Sequence, residues 1–203
     1  NVFSERAYNP DSELIPITRS NGVLISHVIP LGGRISGKSA LMYLDGWTWE
    51  DCILDSPIGI HINWPKMNFS KNYWDDRSEE EMKKNRNKNL IELEEFMDQS
   101  KSYKLLKDEG RNIGKDLKLE AMIPLLNKKL PAFIHAQKFA QIDAAINFSI
   151  RYDVKIVIVG GADADMLSHR LIENESPVIY EHPFSVPLRR WEHYARKYTV
   201  PKK

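Results

Sequence analysis

At 203 residues and 42% apolar content the chain is long enough to bury one sizeable core, which predicts a single domain. Its 29 basic and 28 acidic residues leave a net charge of +1, with no cationic excess for a nucleic-acid surface. The single cysteine, Cys52, excludes an intramolecular disulfide and a cysteine-cluster zinc site, and no apolar run approaches the roughly 20 residues of a membrane span.

In chain order, Ser12 to Ser20 predicts a short helix or turn, and Gly22 to Ile29 a strand ended by Pro30. A loop bearing Gly32, Gly33 and Gly37 leads into Ser39 to Leu44, and then into an aromatic turn from Asp45 to Asp51. Ile58 to Trp64 predicts a second strand, stopped by Pro65. From Ser78 to Asp108 the chain is rich in Glu, Lys, Leu and Met, with Leu90, Ile91, Leu93, Phe96 and Met97 on one helical face. That is the pattern of a solvated outer helix. Leu117 to Asn127 predicts a shorter helix containing Pro124.

The clearest unit follows. Pro131-Ala132-Phe133-Ile134-His135-Ala136 and Val154 to Gly161 are short apolar runs of the kind that form buried parallel strands. Between them Phe139, Ile142, Ala145, Ile146 and Phe148 keep a helical rhythm, so the three together read as a βαβ unit. A helix near Asp165 to Glu173, a strand Pro177 to Tyr180 and a helical piece from Leu188 to Tyr198 complete the chain. In open α/β sheets and barrels alike the chemistry sits at the carboxyl ends of the strands, where His135 falls.

One formal motif points elsewhere. Gly32-Gly33-Arg34-Ile35-Ser36-Gly37-Lys38-Ser39 matches the phosphate-binding pattern G-x-x-x-x-G-K-[ST]. That loop works only if a helix begins at the lysine, because the helix N-terminus and its N–H groups hold the phosphates. Tyr43, Gly46, Trp47 and Thr48 are weak helix formers, so the nucleotide-binding reading is the alternative rather than the lead. Of the six histidines, His27, His61 and His135 lie on apolar strands, where an isolated histidine is more often a hydrogen-bonded core residue than a ligand. His169, His182 and His193 read as surface residues. No H-x-H or H-E-x-x-H spacing occurs, so spacing alone leaves a metal site open.

Several strings resemble amidohydrolases related to imidazolonepropionase: Ser36 to Leu41, Leu44 to Asp51, His61 to Pro65, Leu119 to Pro124, Pro131 to Ala136, Gln141 to Ile146 and Ile156 to Gly161. The resemblance implies an α/β fold, an incomplete (β/α)8 TIM-barrel-like domain over residues 1–203 with mainly parallel strands and outer helices. It also implies that the first and last barrel strands are absent. Such enzymes hydrolyse non-peptide C–N bonds, amide or cyclic amide in type, with water activated by a divalent metal, zinc above all. The resemblance makes His135 the candidate metal ligand, with His61 the weaker one, and offers Asp45, Trp47 and Trp49 as substrate-pocket residues; it assigns no catalytic residue. Where many relatives carry a histidine, this chain has Gly160-Gly161. The expected partners are a small-molecule substrate and either a second copy or the remainder of the same chain, with no nucleic acid and no membrane. The segment alone is expected to be inactive and to hold metal weakly or not at all. A binding domain without chemistry is the other alternative, and the compartment stays open.

Overall fold

The computed structural model describes residues 3–67, 78–181, 183–184, 186–187, 189 and 192–202. Its elements in order are α1 (Leu14–Ser20), β1 (Ile25–Val28), β2 (Ile35–Tyr43), β3 (Ile53–Asn63), α2 (Glu79–Asp108), α3 (Leu117–Leu126), β4 (Ala132–Ala136), α4 (Phe139–Tyr152), β5 (Ile156–Gly160), α5 (Ser168–Glu173), β6 (Val178–Tyr180) and α6 (Arg196–Thr199). The six strands form one sheet in the order β1-β2-β3-β4-β5-β6. The α/β class expected from sequence holds, as a curled, mostly parallel half-barrel sheet with helices.

The sheet has two parts. β3, β4, β5 and β6 run parallel, whereas β1 and β2 join β3 through antiparallel pairings. The first third of the chain is therefore an antiparallel meander rather than a run of βα units. β2 takes in the end of the expected glycine loop, at Gly37, together with most of Ser39 to Leu44, and β3 begins at Ile53 instead of Ile58. The helical piece expected from Leu188 to Tyr198 is reduced to Arg196–Thr199. His182, Leu188, Arg190 and Trp191 lie outside the described residues.

Strand alternation sorts the side chains onto two faces. On one, Ile60, Ile62, Ala132, Ile134, Ala136, Ile156 and Ile158 pack against Leu93 and Met97 of α2, Met122 and Leu125 of α3, and Ile142, Ala145 and Ile146 of α4. Burial of these side chains supplies the main driving force for the fold. These three helices, α2, α3 and α4, each start on a side-chain acceptor. Ser78 and Glu81 form a capping box on α2, Asp116 accepts from Lys118 and Leu119 N–H at α3, and Asp163 accepts from Phe139 N–H at α4. The opposite face carries His61, Phe133 and His135. No helix among the described residues is long and apolar enough to cross a membrane.

Candidate functional site

His61 and His135 sit near the carboxyl ends of adjacent parallel strands, with His61 paired to Phe133 and Asn63 to His135 in the ladder. That register sets the two imidazoles diagonally, and His61 Nδ1 lies 2.9 Å from His135 Nε2. One ring donates and the other accepts. The His61 ring stacks on Phe133 with centroids 4.8 Å apart and planes 6° from parallel. His27 of β1 completes the group, 5.3 Å from His61 and 5.1 Å from Phe133. Phe133 can occupy this place because β3 has Gly59 beneath it. A Cβ there would come within 2.3 Å of the ring.

Burial decides the protonation of all three imidazoles. His61 is 1% exposed, and its pKa is lowered to about 3, first by loss of solvent and then by the neighbouring His135 and His27. His27 is lowered by burial and then by His135. His135 is lowered by burial, against which the carboxylate of Glu181 pulls upward. At neutral pH the cluster is therefore uncharged. Neutral imidazoles are the form that binds a transition metal or accepts a proton.

The rim beyond His135 is polar. Gln137, just past β4, reaches across β5 to Glu181 at the end of β6, with Nε2 donating to Oε2 at 3.4 Å. It crosses over Gly160, whose φ is +106° and where a Cβ would meet Gln137 Nε2 at 2.3 Å. The position at which sequence noted glycine in place of histidine is thus filled by a neighbouring side chain. Further along, Asp163 is 1% exposed and accepts from Arg189 in a bidentate pair at 2.9 and 2.6 Å and from Arg196 at 3.1 Å. Burial alone would raise its pKa. The Arg189 hydrogen bonds and the Phe139 N–H outweigh that and hold it low. Arg196 also pairs with Asp165 and Glu192, so this buried network ties the last segment of the chain to the carboxyl rim. Gln137, Glu181 and Asp163 were not singled out from sequence. Each sits in an ordinary polar loop, and only the strand order brings them together.

The other predicted residues lie elsewhere. Asp45, Trp47 and Trp49 belong to the turn joining β2 to β3, at the amino end of β3, whereas His61 is at its carboxyl end. From Ile53 to His61 that is roughly 26 Å at about 3.3 Å per residue. Asp45 pairs with Arg19 on the surface, Trp47 is 92% exposed, and Trp49 packs on the small cluster of Ala40, Met42 and Cys52. None of the three joins the histidine face. Gly32 to Ser39 is no phosphate loop either. Ile35 to Ser39 is strand, no helix starts at Lys38, and Lys38 Nζ lies over the Phe3 ring at 5.3 Å.

No family model matches the chain, and no curated protein matches it. Among solved structures it is similar to an amidohydrolase from Thermotoga maritima MSB8, with a TM-score of 0.75 and 20% identity. The match covers 97% of this chain and 51% of that one, so the chain spans about half the length of its structural neighbour. At that identity the likeness establishes a shared fold.

Proposed function

We propose that these 203 residues are the middle portion of a metal-dependent amidohydrolase related to imidazolonepropionase, acting on a non-peptide C–N bond of amide or cyclic amide type. The observation that carries the reading is the His61–His135 pair, uncharged and side by side at the carboxyl ends of two parallel strands. In barrels of parallel strands this is the end where catalytic groups gather.

The donor set suits a divalent metal such as zinc as far as it goes. Two imidazole nitrogens on one tetrahedral zinc, each at about 2.0–2.1 Å, stand about 3.3 Å apart, close to the 2.9 Å between His61 Nδ1 and His135 Nε2. A catalytic zinc usually takes three protein ligands, and among the described residues no third His, Cys, Asp or Glu joins the pair. The remaining ligands would come from polypeptide beyond these residues. When bound, such a metal supplies a Lewis acid and a water of lowered pKa. The chain's own part is to hold two neutral imidazoles in register, to shield them with Phe133, and to place the Glu181 carboxylate where it draws a proton toward His135.

The substrate is a small molecule. The outer strands β1 and β6, and a cavity of about 460 Å³ beside β6 lined by Leu171, Ile172, Val178, Tyr180, Val200 and Pro201, would be covered by the rest of the same polypeptide or by a second copy. The test measures zinc content and amide hydrolysis for the 203-residue chain and for a protein carrying the remaining half, each with and without His135→Ala. The short chain should bind zinc weakly and turn nothing over, and the longer protein should lose both metal and activity with His135. Turnover by the short chain, or an undiminished His135→Ala enzyme, would overturn the assignment.

A further inference from the structure

Three buried polar atoms on the histidine face lack a hydrogen-bond partner among the described residues: His27 Nε2, Ser39 Oγ and His61 Nε2. Ser39 is fully buried and His61 1% exposed. A lone unpaired polar atom in such surroundings is costly, and three together call for a common explanation.

The strand register brings them together. Ser39 pairs with Gly59 and Gly37 with His61, and residues paired across an antiparallel ladder share a face, so Ser39 looks to the same side as His61 and lies diagonal to it. His27 pairs with Leu41, two residues on from Ser39, which puts His27 diagonal to Ser39 on the other flank. Gly37, directly opposite His61, has no side chain and a φ of +137°. Lys38, between them, points to the opposite face toward Phe3. The Gly37-Lys38-Ser39 string that imitates a phosphate loop thus brings to this face a space and a hydroxyl.

We propose that Ser39 is the positioning residue of the histidine cluster, its hydroxyl accepting from His61 Nε2–H and donating to His27 Nε2. A neutral imidazole offers one N–H and one lone pair, and a hydroxyl can give and accept at once, so a Ser39 hydroxyl set between the two rings would satisfy all three atoms. The result is one hydrogen-bonded chain across four strands, from His135 Nε2–H to His61 Nδ1, from His61 Nε2–H to Ser39, and from Ser39 to His27. Its direction rests on the function proposed above, because it leaves the His61 Nδ1 lone pair on the side of His135, where a metal would need it.

The test records two-bond ¹H–¹⁵N correlations of the histidine rings in the metal-free chain at neutral pH. His61 should be the Nε2–H tautomer and His27 the Nδ1–H tautomer. Ser39→Ala should collapse both into tautomer mixtures, lower the melting temperature and weaken zinc binding about tenfold, whereas Ser39→Thr should restore the wild-type pattern. An Nδ1–H tautomer for His61, or a Ser39→Ala protein with unchanged ring correlations and melting temperature, would overturn the proposal. If Ser39→Ala does not fold, the wild-type tautomers decide alone. Correct tautomers together with a longer protein, carrying the remaining half, that binds no zinc would refute the metal reading and leave Ser39 in its role.

Discussion

Gly59→Ala is the most searching perturbation of this sheet, because one methyl group strikes the centre of the histidine face. The new Cβ would lie 2.3 and 2.4 Å from two Phe133 ring carbons and 2.9 Å from the Pro131 carbonyl oxygen. Carbon atoms pack at about 3.5–4.0 Å, so the ring must retreat by more than 1 Å. It has nowhere to go: His61 stacks at 4.8 Å and His27 lies at 5.1 Å. The Pro131 oxygen cannot yield either, since it accepts the Ile60 N–H at 3.1 Å in the β3–β4 ladder. Overpacking in cores costs about 1–3 kcal/mol, and two unyielding neighbours place this substitution near about 3 kcal/mol. Phe133→Ala alone should cost about 3–5 kcal/mol through the cavity it leaves. In the double variant the added methyl occupies vacated space, so the two costs should fall short of their sum by more than about 1 kcal/mol. Urea unfolding followed by tryptophan fluorescence measures all three. A Gly59→Ala protein within about 0.5 kcal/mol of wild type, or strictly additive costs, would refute the packing argument.

Three further outcomes are expected. Asp163→Ala should destabilise by about 3 kcal/mol in the same assay, since it removes the buried carboxylate that Arg189 and Arg196 share; Asp163→Asn should cost less because it still accepts the Phe139 N–H, and equal losses would show that this hydrogen bond contributes nothing beyond the charge. Because His61 is held near about 3 in the fold and near 6.5 when unfolded, the unfolded chain takes up the proton first as pH falls. Stability contributed by His61 is therefore intact above about pH 6.5 and is lost below it at up to about 1.4 kcal/mol per pH unit, and His61→Phe should flatten the profile between pH 6.5 and 5; an unchanged slope would show that His61 is not the source. Lys38 should bind no nucleotide, so calorimetric titration with ATP or GTP plus magnesium should give no heat, and stabilisation by about 2.7 kcal/mol at a hundredfold excess over the dissociation constant would contradict the strand assignment.

The parts of this fold that sequence discloses are those in which one physical effect dominates. β4 and β5 are covered by helices on one face and lined by Phe133 and Val159 on the other, so they read as unbroken apolar runs. β2 hides because Ser36, Gly37, Lys38 and Ser39 look like a loop, yet every one of them except Gly37 is buried. The first half of β3 hides behind Asp55, Ser56 and Pro57, residues that strands usually avoid. His61 and His135 are visible one at a time. Their pairing is not, since 74 residues separate them and only the parallel register of β3 and β4 sets them side by side.

Glycine placement is the one local signal that bears on the site directly, and its meaning appears only across strands. Gly37 on β2 stands opposite His61 on β3, Gly59 on β3 lies beneath Phe133 on β4, and Gly160 on β5 lies beneath Gln137 at the end of β4. In each pair a missing side chain on one strand admits a functional or shielding side chain from its neighbour. At Gly59 and Gly160 the glycine is then the less replaceable partner. Phe133 or Gln137 can be shortened with the loss of its own contacts, whereas a Cβ at Gly59 or Gly160 displaces the ring or the amide it was meant to admit. The Gly160-Gly161 pair, taken from sequence as a departure from a histidine-bearing pattern, is by this logic a constructive feature. It leaves room for Gln137 to reach Glu181, the carboxylate that pulls the His135 pKa upward.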